Sequence, residues 1–166
     1  AKESEKKGLD SYIVSGDKDF MQLIGNHTFM YAPGTKKSPN PMIYTTEKVE
    51  EKWGIPPDKI IDLLGLMGDS ADNIPGVAGV GEKTAVKLIK QFGSLESALK
   101  NAEKITNNRV YNGLKEGNEN AKISKKLATI DTNVGLVLDI ENYKLKTPNT
   151  NKTLSLIHIS EPTRLP

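Results

Sequence analysis

The sequence predicts an α/β beginning followed by a compact helical cluster, and three observations carry that prediction. A polar, helix-like stretch over residues 1–8 ends on Gly8 and is followed by the apolar run Tyr12-Ile13-Val14, an order that suits a helix leading into a buried strand. Two β-prone runs, 27–31 and 42–44, flank a stretch rich in Pro, Gly, Ser and Lys over 32–41, the pattern of a hairpin with an exposed loop. Beyond Pro57 the apolar residues fall repeatedly at the i, i+3, i+4, i+7 spacing of one buried helix face.

The opening residues lack an N-cap, so the chain is expected to begin inside a helix, in the second half of a β-α-β unit whose first strand lies upstream. The strand at 12–15 delivers the loop Gly16-Asp17-Lys18-Asp19 to its carboxyl end, where α/β sheets favour ligand sites. A helix is predicted over 46–53. Pro57 and Asp58 start another, with Ile60, Leu63, Leu64 and Met67 on its inner face and Gly68 as its stop. Ala85, Leu88, Ile89 and Phe92 repeat the spacing until Gly93, and Ser94 caps a helix bearing Leu95, Ala98, Leu99 and Ala102. A last helix is predicted over 118–130, with Ile123, Leu127 and Ile130 inward and Lys122, Lys125 and Lys126 outward, before an extended run over 134–140. The final segment, 154–166, shares no periodicity with what precedes it and resembles translated adapter read-through, so a non-native tail outside the functional reading is expected, with a native C-terminal linker as the alternative.

Composition narrows the chemistry. A length of 166 residues suits one domain or most of one. Without cysteine there are no disulfides or thiolate zinc sites, and His27 and His158 are too far apart in sequence to suggest a histidine-rich one. Any catalytic metal is therefore expected to have oxygen ligands. No apolar run approaches the roughly 20 residues of a membrane span, and the charged start is no signal peptide, so the sequence reads as a soluble intracellular protein. A formal net charge of +2 is too small to establish nucleic-acid binding by itself.

Two acidic motifs stand out. Asp17-x-Asp19, in an extended loop, would place both carboxylates on one side, because strand side chains alternate. Asp69 and Asp72, three apart, would point together from one helical turn. Each has an ordinary alternative as a turn or helix cap. If the pairs converge, repulsion between carboxylates 4 Å apart is about 4 kcal/mol at an effective dielectric near 20, so the cluster needs cations or raised pKa values. Magnesium or manganese fits such hard oxygen ligands. Lys18 could add positive charge, with an exposed lysine as the plainer alternative.

The glycine-rich segment Val77-Ala78-Gly79-Val80-Gly81-Glu82-Lys83-Thr84-Ala85 has a helix-hairpin-helix form, with a plain glycine-rich interhelical turn as the ordinary alternative. Gly79 allows the tight turn, Gly81 allows a phosphate to approach backbone N–H groups at a helix start, and Val77 and Val80 anchor the turn. Lys83 opposes the helix dipole, which a docked phosphate would justify. Lys87 and Lys90 could follow a duplex backbone as sequence-independent contacts.

The runs at 13–23, 66–76 and 124–130, including Gly16-Asp17-Lys18-Asp19 and Gly68-Asp69-Ser70-Ala71-Asp72-Asn73-Ile74-Pro75-Gly76, resemble the 5′→3′ exonuclease domain of bacterial DNA polymerase I and, more widely, the 5′-nuclease superfamily with its flap endonucleases. The resemblance covers about residues 1–150. It implies a partial resolvase-like (PIN-like) α/β core over 1–55 and a helix-three-turn-helix DNA-binding subdomain over 56–150. It further implies metal-dependent hydrolysis of flap or nicked DNA in replication and repair, by a monomer of the bacterial nucleoid, with a polymerase domain possible in the parent chain. Asp17, Asp19, Asp69 and Asp72 match the second-metal side of the family's two-ion Mg²⁺ or Mn²⁺ cluster. Gly76, Gly79, Gly81, Lys83, Thr84 and Lys87 match the duplex-gripping element, which in relatives holds a monovalent cation such as K⁺ through carbonyl oxygens. The family's other acidic ligands and basic arch would lie upstream of Ala1, so the fragment alone is expected to be inactive. A non-catalytic duplex-binding module is the alternative function, and an Asp-x-Asp glycosyl transferase a more distant one.

Overall fold

The computed structural model describes residues 1–36, 38–135 and 139–160. Helix α1, Lys2–Lys6, ends in a Schellman motif: Gly8 takes φ +68° and donates its N–H to the Glu5 carbonyl at 2.9 Å, while Leu9 donates to Ser4 at 3.0 Å. Strand β1, Ser11–Val14, pairs in parallel with β2, Thr28–Ala32, from Ser11↔Thr28 to Val14↔Tyr31. Strand β3, Met42–Tyr44, closes the expected hairpin antiparallel to β2, in register Met30↔Tyr44 to Ala32↔Met42. A 3₁₀ helix, Lys18–Leu23, connects β1 to β2.

Strand β1 is not the buried strand that its apolar run predicts. It lies at the sheet edge, and Tyr12 and Val14 are 55% and 71% exposed, with Tyr12 stacked on Phe29 at 5.1 Å. Packing on one face only turns continuous burial into alternation.

The helices follow the predicted stops closely. Helix α2, Thr46–Trp53, is capped by the Thr45 hydroxyl, which accepts from the Lys48 N–H, and ends on left-handed Gly54. Pro57 opens a 3₁₀ turn, Pro57–Lys59, that passes into α3, Ile60–Met67, which stops at Gly68. Helix α4, Glu82–Phe92, ends on left-handed Gly93, and the Ser94 hydroxyl caps α5, Leu95–Lys100, which is followed by a 3₁₀ turn, Ala102–Lys104. Helix α6, Asn108–Glu116, has no counterpart in the sequence reading. It buries only Val110, Gly113 and Leu114, too sparse a stripe to stand out, although Asn107 gives it a two-bond cap. Helix α7, Asn118–Ala128, completes the cluster.

One apolar core runs from Met21, Met30 and Val49 through Leu63, Leu66, Leu88 and Leu95 to Ala121 and Ala128, so the expected 55/56 boundary lies within continuous packing. The chain divides into two compact units at 134/135. Within the second, Asp139 caps a 3₁₀ helix, Ile140–Tyr143, and α8 spans Thr150–Ser160. Of the extended run expected over 134–140, residues 136–138 lie outside the described residues. So do 161–166 of the expected tail, whose first part belongs to α8.

Helix α7 presents a different face from the one predicted. Ile123 and Leu127 are exposed, whereas Ala121, Ser124 and Ala128 are buried and Lys125 turns inward. The cause lies in α3: a Cβ on Gly65 would sit 2.8 Å from the Lys125 Cβ, 3.2 Å from its Cα and 2.6 Å from the Leu95 Cδ1. Two helix backbones this close admit only small side chains between them, which outweighs the gain from burying Ile123 and Leu127. Lys125 Nζ then meets the buried Asp62 at 2.6 Å and Glu96 at 2.7 Å, while the same Asp62 oxygen accepts the Leu95 N–H at 3.2 Å.

Two outcomes follow from this contact. In an exposed helix, glycine to alanine gains about 1 kcal/mol; here Gly65→Ala should instead lose about 1–3 kcal/mol by overpacking. A urea melt showing equal or greater stability would contradict the close approach. Burial alone would raise the Glu96 carboxyl, but Lys125 holds it below the ordinary value. The hydrogen bonds to Asp62 and Glu96 likewise raise Lys125 against its own burial. With its folded pKa depressed, Glu96 contributes stability above its unfolded pKa of about 4.3, and this is lost as pH falls through the folded value. Lys125→Met should therefore cost about 3 kcal/mol at pH 7 by stranding Asp62, and lose less than wild type on acidification through that window. Parallel acid limbs in the two proteins would exclude the ion pair as their cause.

Candidate metal centre and nucleic-acid interface

The end of α3 builds the acidic site. Gly68, at φ +74°, turns the chain out of the helix, and Asp69 and Ile74 then close a bridge of two backbone hydrogen bonds, at 2.9 and 2.7 Å. Within that turn Asn73 takes φ +57°, and the Asp69 carboxylate accepts the Ala71 N–H at 3.0 Å. Asp69 and Asp72 thus meet through a closed turn rather than the helical turn predicted. Asp19, from the 3₁₀ helix after β1, joins them, and one carboxylate oxygen from each of the three lies within 4.8 Å of the others.

Asp17 takes a different position. Its Oδ1 accepts the Asp19 N–H at 3.0 Å and caps the 3₁₀ helix, leaving the side chain exposed. The alternation argued for an extended Asp-x-Asp loop fails because the chain is already helical at Lys18. Three of the four expected carboxylates are brought together, with Asp17 beside them as a cap.

The trio is electrostatically uneven. Asp69 is buried, and its ion pair with Lys18 at 2.7 Å holds its carboxyl below the usual range despite that burial. Lys18 is raised in turn, chiefly by its hydrogen bond to Asp69. Asp19 is pushed the other way, first by burial and then by the neighbouring Asp17 and Asp69 charges. Its Oδ1 is buried with no hydrogen-bond partner. An all-oxygen donor set with one unsatisfied buried oxygen fits a hard divalent cation.

The glycine hairpin grows from the same base. A Cβ on Gly76, at φ +61°, would lie 2.3 Å from the Gly68 nitrogen, so the two backbones touch. The Gly76 N–H donates to the buried Ser124 hydroxyl at 2.9 Å, and the Val77 N–H donates to the Leu66 carbonyl at 2.8 Å. Gly76 is therefore a buried strut rather than part of an open surface. Val77 and Val80 are buried as expected, Gly79 turns at φ +81°, and Gly81 begins α4 with open space where a side chain would stand. Lys83 and Lys87, four apart, are exposed, and neither forms an ion pair among the described residues; Thr84 between them is half-buried. Lys90 lies along the helix from this mouth, its Nζ 3.2 Å from where a Gly54 Cβ would be.

Two supporting residues carry no role in the sequence reading. Gln22 donates to the carbonyls of Asp19 and Ala128, both at 2.9 Å, and accepts the Ile130 N–H at 3.0 Å, tying the acidic 3₁₀ helix to the end of α7. Ser124 fixes the hairpin base. The signal available for Gln22 was a polar side chain between Met21 and Leu23, whereas Ser124 sits in a lysine-rich stretch that gives no such signal.

Because burial and like charges raise the folded pKa of Asp19, its ionisation costs stability as pH rises above its unfolded value of about 3.9. In chelator at pH 7, Asp19→Asn should melt higher than wild type, and the gap should close as pH falls towards 4. A lower melting temperature for the variant at pH 7 would refute the strain assigned to this carboxylate.

The family model described as 5'-3' exonuclease, C-terminal SAM fold, matches residues 55–151, more than half of the chain. Among relatives, DNA polymerase I of Bacillus subtilis (strain 168) is 41% identical over 156 residues, covering 94% of this chain and 18% of the relative. The 5'-3' exonuclease of Aquifex aeolicus (strain VF5) is 38% identical over 152 residues, covering 92% of this chain and 50% of the relative. The chain thus spans about a fifth of the polymerase and half of the exonuclease. Two bacteriophage T5 nucleases are among the solved structures that share the fold. A bacteriophage T5 flap endonuclease in a pseudo-enzyme-product complex with DNA and metal ions superposes at TM-score 0.66 and 20% identity, over 76% of this chain and 45% of that one. The zinc-bound T5 5'-exonuclease superposes at 0.62 and 21% identity, over 72% and 42%. The α/β segment with its helical cluster is the arrangement of those nucleases, and the chain belongs to the 5'-3' exonuclease, C-terminal SAM fold family.

Proposed function

We propose that these residues form the metal-binding and duplex-gripping part of a divalent-metal-dependent 5′→3′ exonuclease or flap endonuclease that hydrolyses phosphodiester bonds in DNA during replication and repair. The observation that carries this reading is the shared base of the two motifs: the Asp19, Asp69 and Asp72 carboxylates and the open start of α4 are joined through the Gly68–Gly76 backbone contact. The names of the relatives and the DNA- and metal-bound T5 enzyme support the same reading.

Asp19, Asp69 and Asp72 would hold the cation, with Mg²⁺ or Mn²⁺ favoured by a donor set made only of carboxylates. A divalent ion there supplies Lewis acidity at a phosphodiester. Asp17 positions Asp19 by capping its helix, and Lys18 neutralises Asp69. At the hairpin, Gly81 leaves the α4 N-terminus open to a backbone phosphate, and Lys83 and Lys87 add charge along the same helix. Hairpin carbonyls could take a monovalent cation such as K⁺. None of these groups reads a base, so binding is to DNA backbone regardless of sequence. In the parent protein the domain would work as a monomer on chromosomal DNA in the cytoplasm, joined to a polymerase domain where the architecture follows the DNA polymerase I relatives.

Two-ion hydrolysis places its metals about 3.5–4 Å apart, and three carboxylates cannot secure both. The remaining ligands are assigned to the rest of the nuclease domain. This favours duplex binding without chemistry as the property of these 166 residues alone. With a 5′-flap substrate and Mg²⁺, the chain should cleave no faster than a metal-free control. Supplied with the rest of the nuclease domain, as from the Aquifex aeolicus relative, it should gain cleavage that Asp69→Asn abolishes. Robust cleavage by the chain alone would overturn the division of ligands, and a completed domain indifferent to Asp69→Asn would overturn the metal site.

A further inference from the structure

We infer that Arg109, on α6, is a second phosphate-binding element of the hairpin grip, reaching across Gly79 to the backbone strand that α4 is proposed to receive. The inference rests on the duplex-binding reading above and adds an element outside the glycine motif.

The placement of Arg109 is set by backbone contacts. Helix α6 packs directly on the hairpin: a Cβ on Gly113 would fall 2.1 Å from the Ala78 carbonyl oxygen, so only glycine lets the helix approach this closely. Arg109 lies four residues earlier, hence on the same helix face, one turn nearer the N-terminus. Its side chain crosses the hairpin tip, where a Cβ on Gly79 would meet the Arg109 Cγ at 3.0 Å and Nε at 3.1 Å. The φ of +81° at Gly79 disfavours a side chain at the tip, and the Arg109 stem lies over the space that glycine leaves. Gly81 is two residues on, within about 7 Å along the chain, so the guanidinium and the open N-terminus of α4 belong to one surface.

The chemistry of the side chain fits the task. Arg109 is exposed and forms no ion pair with a carboxylate among the described residues, unlike Lys18 and Lys125, which are engaged by buried aspartates. The Asn107 cap fixes its backbone by accepting the Arg109 and Val110 N–H groups at 3.0 and 3.2 Å. A planar guanidinium held by its stem against a glycine has few conformations to lose on binding. Its fork can donate two parallel hydrogen bonds to a phosphate, whereas Lys83 and Lys87 offer single charges.

The test is fluorescence anisotropy of the chain with a labelled nicked duplex over a range of KCl concentrations, with melting temperatures recorded for each variant. Arg109→Ala should weaken binding about tenfold and lower the slope of log K against log salt by about one, with melting within about 2 °C of wild type. Arg109→Lys should keep the slope, because the charge remains, and lose part of the affinity, because the fork does not. Lys83→Ala separates the two readings. If it weakens binding while both Arg109 variants behave as wild type, the inference about Arg109 fails and the hairpin grip stands. Unchanged binding in all three variants overturns both. An Arg109→Ala variant with a lowered melting temperature and an unaltered salt slope would make the residue a packing element and overturn the inference.

Discussion

The structure depends first on how closely α7 approaches α3. Gly65 lets the two backbones nearly touch, and from that single crossing α7 reaches the base of the hairpin, the buried Asp62 and the helix bearing Asp19. Ser124 holds the Gly76 N–H at the base of the hairpin, Lys125 neutralises Asp62 below α5, and the Ala128 carbonyl anchors Gln22 and through it the helix bearing Asp19. These bonds join residues 48, 63 and 106 positions apart, so each fixes geometry that no local propensity could supply. A bulkier residue at 65 would force the crossing apart and disturb all three links together.

What was legible in the sequence had local causes. Stops at Gly8, Gly68 and Gly93 follow from the positive φ that a glycine tolerates, and the cap at Ser94 from a side-chain oxygen that satisfies a free N–H group. The inner faces of α3 and α4 follow from periodicity. The misjudged face of α7 shows the limit of that signal. Ile123 and Leu127 make the better apolar stripe, but the partner surface at Gly65 demands small residues, and nothing in the sequence of α7 reveals its partner. The site shows the same division. The convergence of Asp19, Asp69 and Asp72 was legible as a possibility, whereas the role of Asp17 as a cap turned on a local helix that an Asp-x-Asp pattern does not disclose. Helix α6, with its glycine contact on Ala78, was hidden by a sparse apolar stripe whose function is proximity rather than burial.

The two glycines at the base of the site give the proposed function its geometric force. Backbone touching backbone at Gly68 and Gly76 leaves no side chain whose rotamers could change the distance between the acidic turn and the hairpin. The turn is closed by two hydrogen bonds between Asp69 and Ile74, and the hairpin is tied to α3 by the Val77 N–H and to α7 by the Gly76 N–H. A nuclease that ignores base sequence must choose its scissile bond by distance from a fixed grip, since no base contact can set the register. In such an enzyme the separation of grip and cation determines where the cut falls, and it has to be rigid to within a fraction of the phosphate spacing. The carboxylates themselves are under strain, with one Asp19 oxygen buried and unpaired beside like charges. A frame of close glycine contacts can hold them in that strained arrangement, because the cost falls on the side chains while Asp69, Ile74, Gly76 and Val77 keep their backbone N–H groups hydrogen-bonded.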